Sequence, residues 1–123
     1  MKICIVTASR DWVDESFIFG KLDELYYMWP FKLLVHGGCK GGDLICDRWA
    51  RNKLVHVAEI KALWHSYRGK SSGNYRNLIM LEAFISNGED VTVIGFPKPQ
   101  SRGTIDCLDK AKKLGFIVQE YTE

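Results

Sequence analysis

The chain has 123 residues, with 17 basic and 15 acidic side chains and a formal net charge of +2. Hydrophobic residues at 46% and charged residues at 26% match an ordinary soluble globular domain and exclude a disordered or fibrous chain. The charge is too small for a protein that coats bulk nucleic acid, and no apolar run approaches the length of a membrane span.

The N-terminal run Met1-Lys2-Ile3-Cys4-Ile5-Val6 reads into a strand, because no small-residue cleavage site follows it as in a signal peptide. Cys4, Cys39, Cys46 and Cys107 have irregular gaps and no C-x-x-C pair, so neither a zinc site nor a redox dithiol is signalled. Free thiols fit a reducing cytoplasm, the expected location.

Strand and helix alternate. Lys2 to Thr7 is a short β-branched apolar run, as a buried parallel strand should be. A helix follows from about Asp14, with Phe17, Ile18, Leu22, Leu25 and Trp29 at helical spacing and Pro30 as its stop. Phe31 to His36 is the second strand. The glycine loop Gly37-Gly38-Cys39-Lys40-Gly41-Gly42 leads into a helix from about Asp43 to Lys53, and Val55 to Ile60 is the third strand. Trp64 to Gly73 is polar and aperiodic. Asn74 to about Asn87 reads as a helix stopped by Gly88, Val91 to Phe96 as the fourth strand, Thr104 to Leu114 as the last helix, and Phe116 to Glu120 as the fifth strand. This pattern predicts one α/β domain over residues 1–123: a Rossmann-like parallel five-stranded sheet, in order 3-2-1-4-5, flanked by helices.

Right-handed crossovers put every strand-to-helix loop on the carboxyl edge of such a sheet, where ligands bind. Those loops carry seven cations (Arg10, Lys40, Arg68, Lys70, Arg76, Lys98 and Arg102) against Asp11, Asp14 and Asp43. Helix N-termini point the same way and favour anions. The combination points to a compact phosphate-bearing ligand; solvated surface charge is the alternative. The P-loop pattern fails, since Asp43 stands where its lysine should be, and G-x-G-x-x-G is absent after the first strand.

Five motifs occur in order: Ser9-Arg10-Asp11-Trp12, His36 through Asp43, Trp49-Ala50, Gly73-Asn74-Tyr75-Arg76-Asn77 with Met80, and Phe96-Pro97 through Ser101-Arg102-Gly103-Thr104. Together they resemble the small YspA-like members of the SLOG superfamily, common in bacteria and their phages. The resemblance implies a Rossmann-like domain that binds a nucleotide-derived small molecule, as a sensor or by sequestering a signalling nucleotide such as a cyclic nucleotide or ADP-ribose derivative. It implies a homo-oligomer; no cofactor or metal is expected. Relatives include cytokinin-activating phosphoribohydrolases and the DNA-processing protein of competence. A nucleotide N-glycosidase and a single-stranded DNA binder are therefore the second and third expectations.

Carried over, Gly37, Gly38 and Gly41 match one phosphate-side loop, and Ser101, Arg102, Gly103 and Thr104 match the other. Arg76 matches an arginine used in catalysis by phosphoribohydrolases, with Asn77 in place of their lysine. Cys107 stands where those enzymes carry a catalytic glutamate. Without that carboxylate, glycosidic cleavage lacks its acid–base group, so no catalytic residue is assigned unless Arg76 acts in an enzyme.

Ser9, Arg10 and Lys40 complete the expected ligand set. Asp43 is either a helix N-cap or an acceptor for a ribose hydroxyl. His36 reads as a hydrogen-bonded structural histidine, Cys39 as exposed without function, and Trp12 and Trp49 as packing. Tyr67, Arg68, Lys70 and Tyr75 could form a lid over a bound base.

Overall fold

The computed structural model describes residues 1–61 and 72–123. Five strands form one all-parallel sheet: β1 (Ile3–Ala8), β2 (Leu33–His36), β3 (His56–Glu59), β4 (Val91–Phe96) and β5 (Ile117–Glu120). Their order is β3-β2-β1-β4-β5, as the sequence predicts. Among the described residues four α-helices connect them: α1 (Glu15–Met28), α2 (Gly42–Asn52), α3 (Ser72–Glu82) and α4 (Arg102–Lys113).

Side chains alternate across the central strand, so β1 feeds two cores. Cys4, Val6 and Ala8 face one layer with Ile18, Leu22, Phe31, Ile45 and Trp49 from the α1–α2 side. Ile3 and Ile5 face the other, with Met80, Leu81, Cys107, Leu108 and Ala111 from α3 and α4. Full burial of each large aliphatic side chain here contributes roughly 1.5–3 kcal/mol. β1 and β4 are buried along their whole length, whereas the edge strands β3 and β5 are half exposed.

The helix ends follow local chemistry. Asp14 caps α1 by accepting from Phe17 N–H at 3.1 Å, and the helix ends ahead of Pro30. α4 ends in a Schellman motif: Gly115 N–H reaches Lys112 O and Phe116 N–H reaches Ala111 O. α2 ends the same way, with Leu54 N–H on Arg51 O and Val55 N–H on Ala50 O. Here the left-handed position is Leu54, at φ 59° and 90% exposed.

Four sequence boundaries shift by two residues or more: β2 starts at Leu33 rather than Phe31, α3 starts at Ser72 rather than Asn74, and the other two are the end of α3 and the start of α4. α3 ends at Glu82 rather than Asn87, and residues Ile85–Asp90 form a 3₁₀ segment with Gly88 at φ 56° inside it. The glycine that reads as a helix stop belongs to this tighter turn. α4 starts two residues earlier than predicted, at Arg102, with Ser101 as its N-cap residue.

Candidate functional site

The chain turns back between β1 and β4, so α2 leaves the sheet on one side and α4 on the other. Their N-termini flank a cleft of about 310 Å³ at the carboxyl edge. Ser9, Arg10, Gly37, Asp43, Arg76, Asn77, Ser101, Arg102, Gly103 and Thr104 all line it. Gly38 and Lys40 line an adjoining hollow of about 420 Å³, which shares Arg10, Gly37, Cys39 and Arg76 with the first. Gly41 lines neither. It is the N-cap of α2 at φ 80°, where a Cβ would meet Arg10 O at 2.3 Å, so its role is to let the loop pack onto the backbone of Arg10.

Ser9 is the hinge of this packing. Its N–H donates to Phe96 O and its carbonyl accepts from Gly42 N–H, both at 3.0 Å, while its Oγ accepts from Asp11 N–H at 3.1 Å. Ser101 is similarly occupied: its Oγ donates to Lys98 O and accepts from Lys98 N–H, so it does not cap α4. Gly41 provides no side-chain cap for α2 either. Two helices of more than ten residues thus open onto the cleft without side-chain caps, each presenting the positive end of its dipole.

Asp43 departs from the simple N-cap expectation. It lies within the first turn of α2, and its Oδ2 reaches back to accept from Gly37 N–H at 3.1 Å and Cys39 N–H at 3.2 Å. Its Oδ1 is buried and meets no hydrogen-bond partner among the described residues. Burial pushes its pKa up to about 6; His36, the Cys39 amide, Arg76 and the Gly37 amide pull the other way without offsetting it.

Arg76 is buried, and most of its guanidinium is spent on the protein. Nε donates to Asn77 Oδ1 at 2.7 Å, Nη1 to Gly37 O and Ile60 O, and Nη2 to Cys39 Sγ at 3.6 Å. It joins α3 to the end of β2. Its cleft-facing role is that of a fixed positive charge rather than a free anion clamp.

His36 is structural, as its sequence position suggests. Its Nδ1 accepts from Gly38 N–H at 2.9 Å, which places the ring hydrogen on Nε2, 2.6 Å from Asp47 Oδ2. Asp47 also takes Arg51 Nε; burial alone would raise this carboxyl, but the bonds from Arg51 and His36 outweigh it and hold it below the ordinary range. Glu59 lies close enough to complete a His36–Asp47–Glu59 cluster. With Nδ1 accepting and Nε2 donating, His36 has no lone pair left for a cation, so the cluster is a hydrogen-bond network.

Trp12 and Trp49 pack in the core, with indole N–H groups on Phe96 O at 2.6 Å and Asp23 Oδ1 at 2.8 Å. Lys98, one of the expected loop cations, is turned away onto the Trp12 ring at 3.9 Å and pairs with Glu123. Cys107 is fully buried in the α3–α4 core, where burial pushes its thiol up to about 11. Of the lid residues, Tyr75 is half-buried on α3. Tyr67, Arg68 and Lys70 lie outside the described residues.

Thr7, Asp11, Cys39 and Gln100 also line the cleft and were not singled out from sequence as ligand contacts. Asp11, Cys39 and Gln100 each adjoin a residue that was, so loop position was the available signal there; Thr7 lies within β1 and carried no such signal.

No helix among the described residues is long and apolar enough to cross a membrane. A protein-family profile described as "YspA, cpYpsA-related SLOG family" matches residues 2–67. The chain is also 35% identical over 123 residues to the Gene 61 protein of Mycobacterium phage D29, covering 96% of this chain and 94% of that one. No solved structure matches. The chain belongs to the YspA, cpYpsA-related SLOG family.

Proposed function

We propose that the cleft binds a nucleotide-derived, phosphate-bearing small molecule, and that the protein acts by sensing or sequestering it. One observation carries this reading: α2 and α4 begin at the same cleft without side-chain caps, with Arg10 and Arg102 exposed at its rim. Helix N-termini without side-chain caps and exposed guanidinium groups together suit phosphate oxygens. Family membership supports a nucleotide-related ligand. A cytoplasmic setting and a homo-oligomer belong to the same reading. Tyr27 and Met28, at the end of α1, are 86% and 78% exposed and give an oligomer contact apolar surface to cover.

The glycosidase reading has less support. The position that would carry its carboxylate holds Cys107, a buried thiol that is protonated at neutral pH.

The test is to purify the protein, denature it and identify any released ligand by mass spectrometry. The refolded or freshly prepared protein is then incubated with AMP, NAD, ADP-ribose and cyclic nucleotides. Recovery of a nucleotide, or saturable binding without release of free base, is the expected result. Base release abolished by Arg76→Ala would establish the enzyme instead. Salt-sensitive oligonucleotide binding with no response to mononucleotides would favour the DNA-binding alternative.

A further inference from the structure

Asp43 holds one carboxylate oxygen in reserve. Its Oδ2 is fully engaged by the amides of Gly37 and Cys39, which fixes the side chain in one rotamer beneath the glycine loop. Its Oδ1 is buried, lies on a residue that lines the cleft, and has no donor among the described residues. A buried acceptor left without a donor is costly and is rare in folded proteins. A bound ligand that supplies the donor removes that cost.

The lining divides by depth. Ser9, Asp43, Arg76, Asn77 and Thr104 are buried; Arg76, the one cation among these five, has its guanidinium engaged by Asn77, Gly37 O, Ile60 O and Cys39, whereas Arg10 and Arg102 are exposed. An ionised carboxylate on the floor repels a phosphate, so the anionic part of a ligand belongs at the rim. The floor instead suits a neutral hydroxylated group that can donate to Asp43 Oδ1.

We infer that Asp43 is the specificity-determining residue of the proposed site, accepting a hydrogen bond from a sugar hydroxyl so that the cleft takes ribosyl ligands in preference to their deoxy counterparts. This deepens the proposed function and rests on it. The ligand enters sugar first, with its phosphate left between Arg10 and Arg102. A site built to bond a hydroxyl rejects the analogue that lacks it, because its own buried acceptor is then stranded again. An exocyclic base amine could also donate to Oδ1, but it would give no discrimination at the sugar.

The experiment titrates the protein calorimetrically at pH 7.5 with the four ribonucleoside 5′-monophosphates, each beside its 2′,3′-dideoxy analogue. The preferred ribonucleotide should bind on the order of 10²-fold more tightly than its dideoxy partner. Asp43→Asn keeps a carbonyl for the two loop amides but replaces the charged acceptor with a neutral amide. It should cut the preference to below ~10-fold while leaving the thermal midpoint unchanged or raised. Equal binding of ribo and dideoxy forms by the wild type overturns the inference and leaves the proposed function standing. So does an Asp43→Asn protein that folds normally and keeps the wild-type ratio. Failure of these nucleotides, and of NAD, ADP-ribose and cyclic nucleotides, to bind overturns the proposed function and the inference together.

Discussion

Arg76 lies where only a glycine at position 37 leaves it room: a Cβ there would sit 2.2 Å from Arg76 Nη1 and 2.4 Å from its Cζ. The same guanidinium donates to Gly37 O, so the close approach and the hydrogen bond are one feature. The first residue of the glycine loop thus serves a buried arginine from α3 as well as any ligand above it.

Gly37→Ala should therefore act through Arg76. Displacing the guanidinium from Gly37 O, Ile60 O and Asn77 should destabilise the fold by roughly 1–3 kcal/mol. Urea unfolding of the variant measures this. A midpoint equal to that of the wild type would mean that Arg76 moves aside freely and does not join α3 to β2.

Asp43 should make stability fall as pH rises from about 4 to about 6. Its folded pKa of about 6 lies above the unfolded value of ~3.9, so between those limits the native state holds a proton that the unfolded chain has released. The advantage is full below the unfolded value and is lost as pH rises through the folded one, amounting to roughly 2–3 kcal/mol. Asp43 faces His36 from β2, Arg76 from α3, Cys46 on its own helix and Cys107 from α4, and the wild-type curve contains them all. Asp47 has the opposite sign: its depressed pKa stabilises above the unfolded value and the contribution is lost as pH falls. The difference between wild type and Asp43→Asn isolates Asp43. A difference that stays flat from pH 4 to 6.5 would contradict its raised pKa.

Leu54→Gly should stabilise the protein. Leu54 occupies the left-handed position that Gly115 fills at the end of α4, and its side chain is exposed. Relief of the backbone strain, less the added freedom of the unfolded chain, should give about 0.5–1 kcal/mol. A lower thermal midpoint would show that the leucine side chain has a packing role, for instance in an assembly.

The homo-oligomer is checked by light scattering at tens of micromolar, where a mass above the 14.1 kDa of one chain is expected. A steady 14.1 kDa mass across that range would exclude it.

The fold was legible because each of its signals is local. Apolar β-branched runs bounded by glycine, proline and polar loops mark the strands, and Asp14 and Pro30 mark the ends of α1. The placement of the loops at one edge then follows from topology, and ten expected residues line one cleft as a result. What sequence could not reveal depends on long-range partners. Asp43 resembles an N-cap locally, yet its carboxylate bonds backward to residues 37 and 39. Arg76 reads as a cation available to a ligand until Gly37 O, 39 residues away, claims it. Gly88 signals a helix end but lies inside the 3₁₀ segment that follows, because Glu82 already ends the α-helix.

The central claim, that this cleft holds a phosphate-bearing nucleotide derivative, is tested most directly by calorimetric titration of wild type and Arg102→Ala with AMP, NAD, ADP-ribose and cyclic nucleotides. At least one ligand should bind the wild type saturably at one site per chain. Loss of the rim guanidinium should weaken that ligand by roughly 1.5–3 kcal/mol, about 10- to 10²-fold, with the thermal midpoint unchanged. Absence of saturable binding by any of them, or equal affinity in the two proteins, would contradict the claim.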